Sequence, residues 1–232
     1  MDNKDLVRHY IGEVINHKNI AAKGTAMKIG IIGAGNMGTT LGDLWIAAGH
    51  DVLYGTRASN PTSNLRARPI AEACALSDFL VLAVNYWTIE SALREMGDLT
   101  GKIILDISNP FALKAGATDK HNPANFERVL PLNQTALDRN RAFTPQAVWV
   151  KAFCSLPGKV MRETHHQTPH IAIPYTAADS HAADLLSILI TDAGFDPVYA
   201  GGLDKTADIE LLGKLSMQPM TKAKMLELMK QA

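Results

Sequence analysis

Gly33-x-Gly35-x-x-Gly38 follows the apolar run Met27-Lys28-Ile29-Gly30-Ile31-Ile32 and precedes Leu41, Leu44, Trp45 and Ala48 at helical spacing. Glycines so placed between a strand and a helix suit a dinucleotide. The first permits a tight turn, the second lets the backbone approach a pyrophosphate, and the third lets the helix pack closely on its strand; free N–H groups at the helix start then receive the anion. Gly33, Gly35, Asn36, Met37 and Gly38 are the candidate contacts. The next strand ends in Tyr54-Gly55-Thr56-Arg57-Ala58-Ser59-Asn60, with no acidic residue to bind a ribose 2′-hydroxyl. Thr56, Arg57, Ser59 and Asn60 offer a guanidinium, hydroxyls and an amide where a 2′-phosphate would sit, so NADP(H) is expected rather than NAD(H).

Three other strand ends carry polar or close-packing candidates: Ala83-Val84-Asn85-Tyr86, Asp106-Ile107-Ser108-Asn109-Pro110 and Ala152-Phe153-Cys154-Ser155-Leu156-Pro157. Open α/β sheets bind ligands along this edge. Ala83, Val84, Asn85, Asn109 and Ala152 are therefore expected beside the cofactor, with Asn85, Asn109, Cys154 and Ser155 as groups that position the nicotinamide or a second substrate. No general acid or base stands out. His165-His166 with His170 reads as a solvated loop, because two of the three are adjacent and no carboxylate is suitably spaced for a metal site. His121, His181 and Cys74 are unremarkable. Cys154 is expected to face the cleft without a base to activate it: in an extended strand, Lys151 points to the opposite face.

The elements that hold these residues alternate. After the strand 27–32 and its helix come a strand at Asp51 to Tyr54, a short helix around Pro69 to Ala75, and the continuous apolar strand Phe79 to Val84. A helix near Trp87 to Met96 leads to a strand at Lys102 to Ile107. From Phe111 to Pro145 the pattern dissolves into a long connection, with one helix expected near Asn122 to Val129. A strand at Ala147 to Phe153, a helix opened by Pro157-Gly158, a strand at His170 to Ile173, a helix at Ser180 to Ala193 and a strand at Pro197 to Ala200 complete the order. Apolar strands alternating with helices imply an α/β Rossmann fold, a doubly wound, mostly parallel sheet with a small C-terminal lobe. Expected divisions are an N-terminal helix and linker at 1–26, a nucleotide-binding domain at 27–155 and the lobe at 156–232.

The chain has 232 residues, 47% hydrophobic and 20% charged, which excludes disordered and fibrous classes. Lys and Arg number 23 against 23 Asp and Glu, so no basic field draws nucleic acid or anionic lipid. Two cysteines 80 positions apart suggest free thiols, not a disulfide framework or a zinc module. With no run of about 20 apolar residues and a polar N-terminus, a cytoplasmic location is expected.

Taken together, the Gly33–Gly38 turn, Gly55-Thr56-Arg57, Lys151-Ala152-Phe153 running into Leu156-Pro157, and Gly194-Phe195-Asp196-Pro197-Val198-Tyr199-Ala200-Gly201-Gly202-Leu203 resemble the F420-dependent NADP oxidoreductase family. The resemblance runs from about Met27 to Met217. It implies hydride transfer between NADP(H) and a 5-deazaflavin, a small C-terminal lobe and a homodimer. Three positions depart from the family pattern. Cys154 stands where relatives commonly have Asn or His, Asn85 where they often have Pro, and Pro174-Tyr175-Thr176 where they have a Gly-Asp-Asp-like turn. Residues 3–16 resemble the opening helix of SnoaL-like proteins, but the rest of that fold is absent.

The expected activity is thus an NADP(H)-dependent oxidoreductase acting on a small-molecule redox partner, coenzyme F420 or a flavin, with the protein orienting two rings and supplying no proton-transfer residue. The alternatives are NADPH-dependent reduction of a small carbonyl, imine or metal complex, and a non-enzymatic NADP(H)-binding redox sensor.

Overall fold

The computed structural model describes residues 26–57, 66–119, 122–216 and 218–231. The N-terminal helix expected before Met27, and the cofactor candidates Ser59 and Asn60, lie outside the described residues.

Lys28–Ile32 forms β1, Asn36–Ala47 α1 and Asp51–Thr56 β2, followed by the short edge strand Ala67–Pro69 (β3) and Ile70–Ala75 (α2). Phe79–Leu82 is β4, a single 3₁₀ turn at Tyr86–Thr88 leads into Ile89–Glu95 (α3), and Ile103–Asp106 is β5. Val148–Lys151 (β8), Gly158–Thr164 (α5), Ala172–Ala177 (β9), Ser180–Asp192 (α6) and Asp196–Gly201 (β10) follow a longer excursion described below. The sheet order is β10-β9-β8-β5-β4-β1-β2-β3. The six strands from β8 to β3 run parallel, β9 is antiparallel to β8, and β10 is parallel to β9. The chain winds outward from β1 in one direction and from β4 in the other. Their carboxyl ends therefore open a crevice at the switch point, immediately beside Gly33.

Period-two alternation divides the apolar strand residues between two cores. Ile29, Ile31, Phe79 and Val81 pack with Leu41 and Trp45 of α1 and with Leu186 and Leu189 of α6. Ile32, Leu80 and Leu82 face the other side, against Ile70, Ile89, Leu93 and Leu137. Burial on both faces explains why these strands read as uninterrupted apolar runs. Among the described residues no helix is long and apolar enough to cross a membrane.

Two stretches differ from the sequence reading. Between β5 and β8, Phe111–Leu113 (β6) and Phe126–Arg128 (β7) pair antiparallel in a separate two-stranded sheet, and the helix is Ala136–Phe143 (α4). In place of the helix expected at 122–129, Asn122 Oδ1 accepts from Ala124 N and starts only a 3₁₀ turn at Pro123–Asn125, after which Phe126–Arg128 is drawn into the pairing with β6. Thr135 instead starts α4 with a capping box, its hydroxyl accepting from Asp138 N while the Asp138 side chain reaches back to Thr135 N. Pro174-Tyr175-Thr176 lies inside β9 and is not a turn. The ladder from β9 to β8 covers only Thr176 and Ala177, so Pro174 sits beyond its end, where β8 requires no N–H. Residues beyond 155 contribute β9 and β10 to the same sheet. The segment after β10 continues through Thr206–Ile209 (α7) to Lys222–Lys230 (α8).

Candidate functional site

The three glycines divide their work as the spacing requires. Gly33 has φ +109°, and a Cβ there would lie 2.6 Å from the Ala83 carbonyl oxygen, so β1 and the end of β4 meet through its missing side chain. A Cβ on Gly38 would press on the Gly33 carbonyl and approach Ile31 Cγ2 at 3.2 Å. Gly35 is different: its φ is −82°, and a Cβ would meet nothing within 4 Å. The space above it is open, at the N-cap of a helix that no side chain caps. A diphosphate approaching there would find unpaired N–H groups and the positive end of a 12-residue helix.

Two clefts flank this turn. One, of about 260 Å³, lies between β2, α2 and α3 and is lined by Gly33, Gly55, Thr56, Arg57, Val84 and Thr88 among others. The other, of about 300 Å³, lies across the turn and is lined by Asn36, Met37, Asn109, Cys154, Ser155 and Leu211 among others. An elongated dinucleotide crossing Gly35 would place one half in each. A larger hollow of about 570 Å³ around Arg141, Pro145, Trp149 and Leu203 includes none of these residues.

Arg57 lines the first cleft with its guanidinium held by α3. Nε donates to Glu95 Oε1 at 2.9 Å, and Nη2 donates to Ser91 Oγ at 2.5 Å. Arg162 of α5, which the sequence reading passed over, donates to Asn36 Oδ1 at 2.8 Å and to Thr40 Oγ1, adding a cation beside the glycine turn. Its helix carries no sequence signal beyond a lone basic residue in the last turn.

In the second cleft several expected positioning groups are already engaged. Asn109 donates from Nδ2 to Cys154 O at 2.8 Å and accepts from Leu211 N at 2.7 Å, so its amide ties the cleft wall to the C-terminal segment. The Cys154 thiol, in the wall of the cleft, donates to Ile209 O at 3.4 Å and packs with Ile209, Leu215 and Met225. Ala152 is fully buried in the core beneath the cleft. Asn85 is exposed at the end of β4, and its side chain makes no hydrogen bond among the described residues. Ser155 is 3% exposed, and its buried hydroxyl has no hydrogen-bond partner among the described residues. A buried hydroxyl without a partner is costly, so Ser155 is the group in this wall that a ligand would satisfy.

Lys151 and Cys154 do not lie on opposite faces in the way simple alternation suggests. The strand stops at Lys151, and Phe153 adopts φ +57°, a left-handed turn for a bulky residue. Edge-to-face contacts with Trp45 at 6.0 Å and Phe195 at 6.5 Å hold it there. The turn brings the Cys154 thiol within the field of the Lys151 ammonium, which favours the thiolate, yet burial dominates and pushes the thiol up to about 12. Burial likewise raises Cys74 to about 12. Neither sulfur is a nucleophile near neutral pH. Both thiols should stay unreactive toward a disulfide thiol reagent at pH 7.5, and two should react in guanidinium chloride; rapid native labelling of Cys154 would contradict this. Because folding raises both values above that of a free thiol, their contribution to stability is present below about pH 8.5 and is lost as pH rises toward 12.

Behind the second cleft lies a buried ionic cluster. Lys151 Nζ meets Asp106 Oδ2 at 3.0 Å, Glu210 Oε1 at 2.9 Å and Ser108 O at 2.6 Å. Burial opposes the ammonium charge, but the two carboxylates prevail and hold its pKa above the ordinary lysine value. Glu210 also accepts from Ala136 N and Leu137 N at the start of α4.

Residues 28–110 match the model of a family described as NADP oxidoreductase, coenzyme F420-dependent. Over that span the chain is similar to this family. Similar solved structures extend the likeness of fold beyond it. A protein from Arthrobacter sp. FB24, described as a candidate F420-dependent NADP reductase, is 21% identical, with a TM-score of 0.64 over 78% of this chain and 88% of that one. A hypothetical protein from Sinorhizobium meliloti is 24% identical, with a TM-score of 0.71 over 88% of this chain and 99% of that one. Pyrroline carboxylate reductase from Plasmodium falciparum, solved with NADP bound, is 16% identical, with a TM-score of 0.51 over 75% of this chain and 57% of that one. No curated protein matches the chain in sequence.

Proposed function

We propose that this protein is a member of the F420-dependent NADP oxidoreductase family and transfers hydride between NADP(H) and a flavin- or deazaflavin-type acceptor. The observation that carries the cofactor assignment is the pair of clefts that flank the glycine turn, with open space at Gly35 between them and Arg57 at the end of β2 in one of them. NADP(H), when bound, supplies or accepts a hydride at its nicotinamide ring. In this reading the backbone at Gly35 and the start of α1 hold the diphosphate, while Thr56 and Arg57 face the 2′-phosphate. Asn36, Met37 and Ser155 border the reacting end.

What lines the second cleft supports this acceptor class. Its one ionisable side chain among the described residues is Cys154, whose thiol is neutral and engaged with Ile209 O. Ring-to-ring hydride transfer suits such a wall, since its main demands are orientation and exclusion of water. A second reading, reduction of a small carbonyl or imine, draws on the partnerless Ser155 hydroxyl as a hydrogen-bond donor to the reacting group.

The test is NADPH oxidation with a panel of FMN, riboflavin, a 5-deazaflavin, a cyclic imine and a small ketone, run on the wild-type protein and on Arg57→Ala and Ser155→Ala. Turnover with the ring acceptors, changed less than about threefold by Ser155→Ala, is expected. Imine or ketone turnover that Ser155→Ala cuts by about 100-fold establishes the second reading instead. Micromolar NADPH binding without turnover on any acceptor points to a sensor. In every case NADPH should bind about tenfold tighter than NADH, a margin that Arg57→Ala removes.

A further inference from the structure

The residue that reads the 2′-phosphate in the proposed complex already has an anionic partner. Ser91 and Glu95 are four residues apart on α3 and share the helix face turned toward the end of β2. Glu95 meets Arg57 Nε, and Ser91 meets Nη2. Ser91 in turn donates its own proton to Thr88 O at 3.0 Å, so it offers the guanidinium a lone pair. These contacts take one edge of a planar fork whose donors have fixed directions. Nη1 has no partner among the described residues, and Arg57 lines the cleft.

From this arrangement we infer that Glu95 sets the strength of 2′-phosphate recognition. It fixes the guanidinium so that the Nη1 side remains for the phosphate, and it places a carboxylate beside an incoming dianion. The inference rests on the NADP(H) reading and adds to it a residue of opposite sign. Arg57 supplies preference for the 2′-phosphate, while Glu95 limits the affinity, so that NADP(H) is selected without being held too tightly to leave. A unit negative charge within one Debye length (~8 Å) of a phosphate dianion, in a partly exposed setting, weakens binding by several-fold. Both side chains are partly exposed, 38% for Arg57 and 44% for Glu95, so the effect is screened by salt.

Glu95→Gln keeps an oxygen acceptor for Arg57 Nε while removing the charge. In the full chain it should tighten NADPH and adenosine 2′,5′-bisphosphate three- to tenfold, leave NADH and AMP within twofold, and lose most of that gain as salt is raised to about 0.5 M. Glu95→Ala, measured alongside, removes both acceptor and charge and should give a smaller gain. Unchanged or weaker NADPH binding by Glu95→Gln, with the unfolding midpoint preserved, overturns the inference. If the wild-type protein prefers NADPH and Glu95→Gln does not alter that affinity, this inference alone has failed. If the wild-type protein binds NADPH and NADH equally, the cofactor reading has failed and this one falls with it.

Discussion

Gly35→Val is expected to leave the fold intact and to weaken NADPH binding by at least about 100-fold. The backbone at Gly35 is extended, with φ −82° and ψ −172°, so an L-residue fits without strain. The new Cβ would meet nothing within 4 Å, and the remaining methyl groups would project into the open space above the turn. Losing a glycine N-cap for a β-branched one costs about 1 kcal/mol of stability. A diphosphate seated on the N–H groups of α1, however, would collide with the isopropyl group and be pushed from its donors, losing charge-assisted hydrogen bonds together with the helix field. The neighbouring glycines predict the opposite pattern. Gly33→Ala puts a side chain at φ +109° and 2.6 Å from Ala83 O, so it should lower the unfolding midpoint before any ligand is added. Thermal unfolding and NADPH titration of both variants separate the two roles. Gly35→Val that still binds NADPH within threefold of wild type would remove the diphosphate from this turn.

Where chemistry is local in sequence, it was legible there. Three glycines between an apolar run and a helical period specify a turn that a handful of neighbouring residues can build, and β1, α1 and β2 stand where that pattern puts them. Arg57 was visible by residue type. Its partners were not, because Glu95 lies 38 positions away and meets it only through the docking of α3 beside β2. Cys154 was placed by alternation, which holds only while a strand continues. Phe153 at φ +57° ends it, and the thiol engages the C-terminal cluster from the wall of the cleft. In the long connection a helix was expected near 122–129, whereas the start of α4 was written in Thr135 and Asp138 as a cap with a partner three residues on. Ser155 was among the candidates for its position at a strand end. Its lack of a partner depends on every neighbouring donor and acceptor and has no local signature.

Lys151→Met should cost about 3 to 5 kcal/mol of folding stability, the usual range when one member of a buried ion pair is removed. Lys151, Asp106 and Glu210 have side-chain exposures of 0%, 0% and 2%, so water cannot replace the lost ammonium. In the wild-type protein the excess negative charge is absorbed by neighbours. Asp106 accepts from Ser108 N at 2.7 Å and from Asn140 Nδ2 at 2.9 Å, and Glu210 accepts at the positive end of α4. Without the lysine two carboxylates share one buried space, and folding then favours a protonated one. That gives the variant a pH signature. Its folded-state carboxylate pKa lies above the unfolded value near 4, so its stability deficit should shrink as pH falls from 7 to 5. Guanidinium unfolding at both pH values measures this directly. Lys151→Met combined with Asp106→Asn and Glu210→Gln should recover much of the loss, since neutral partners carry no unpaired charge. A deficit that is the same at pH 7 and pH 5, or a triple variant no more stable than the single one, would mean that packing of the lysine stem and not charge holds this region. The cluster also bears on the cleft. Glu210 precedes Leu211, whose N–H caps Asn109, so releasing this anchor should loosen the wall that carries Ser155 and raise the Kd for NADPH even where the protein remains folded.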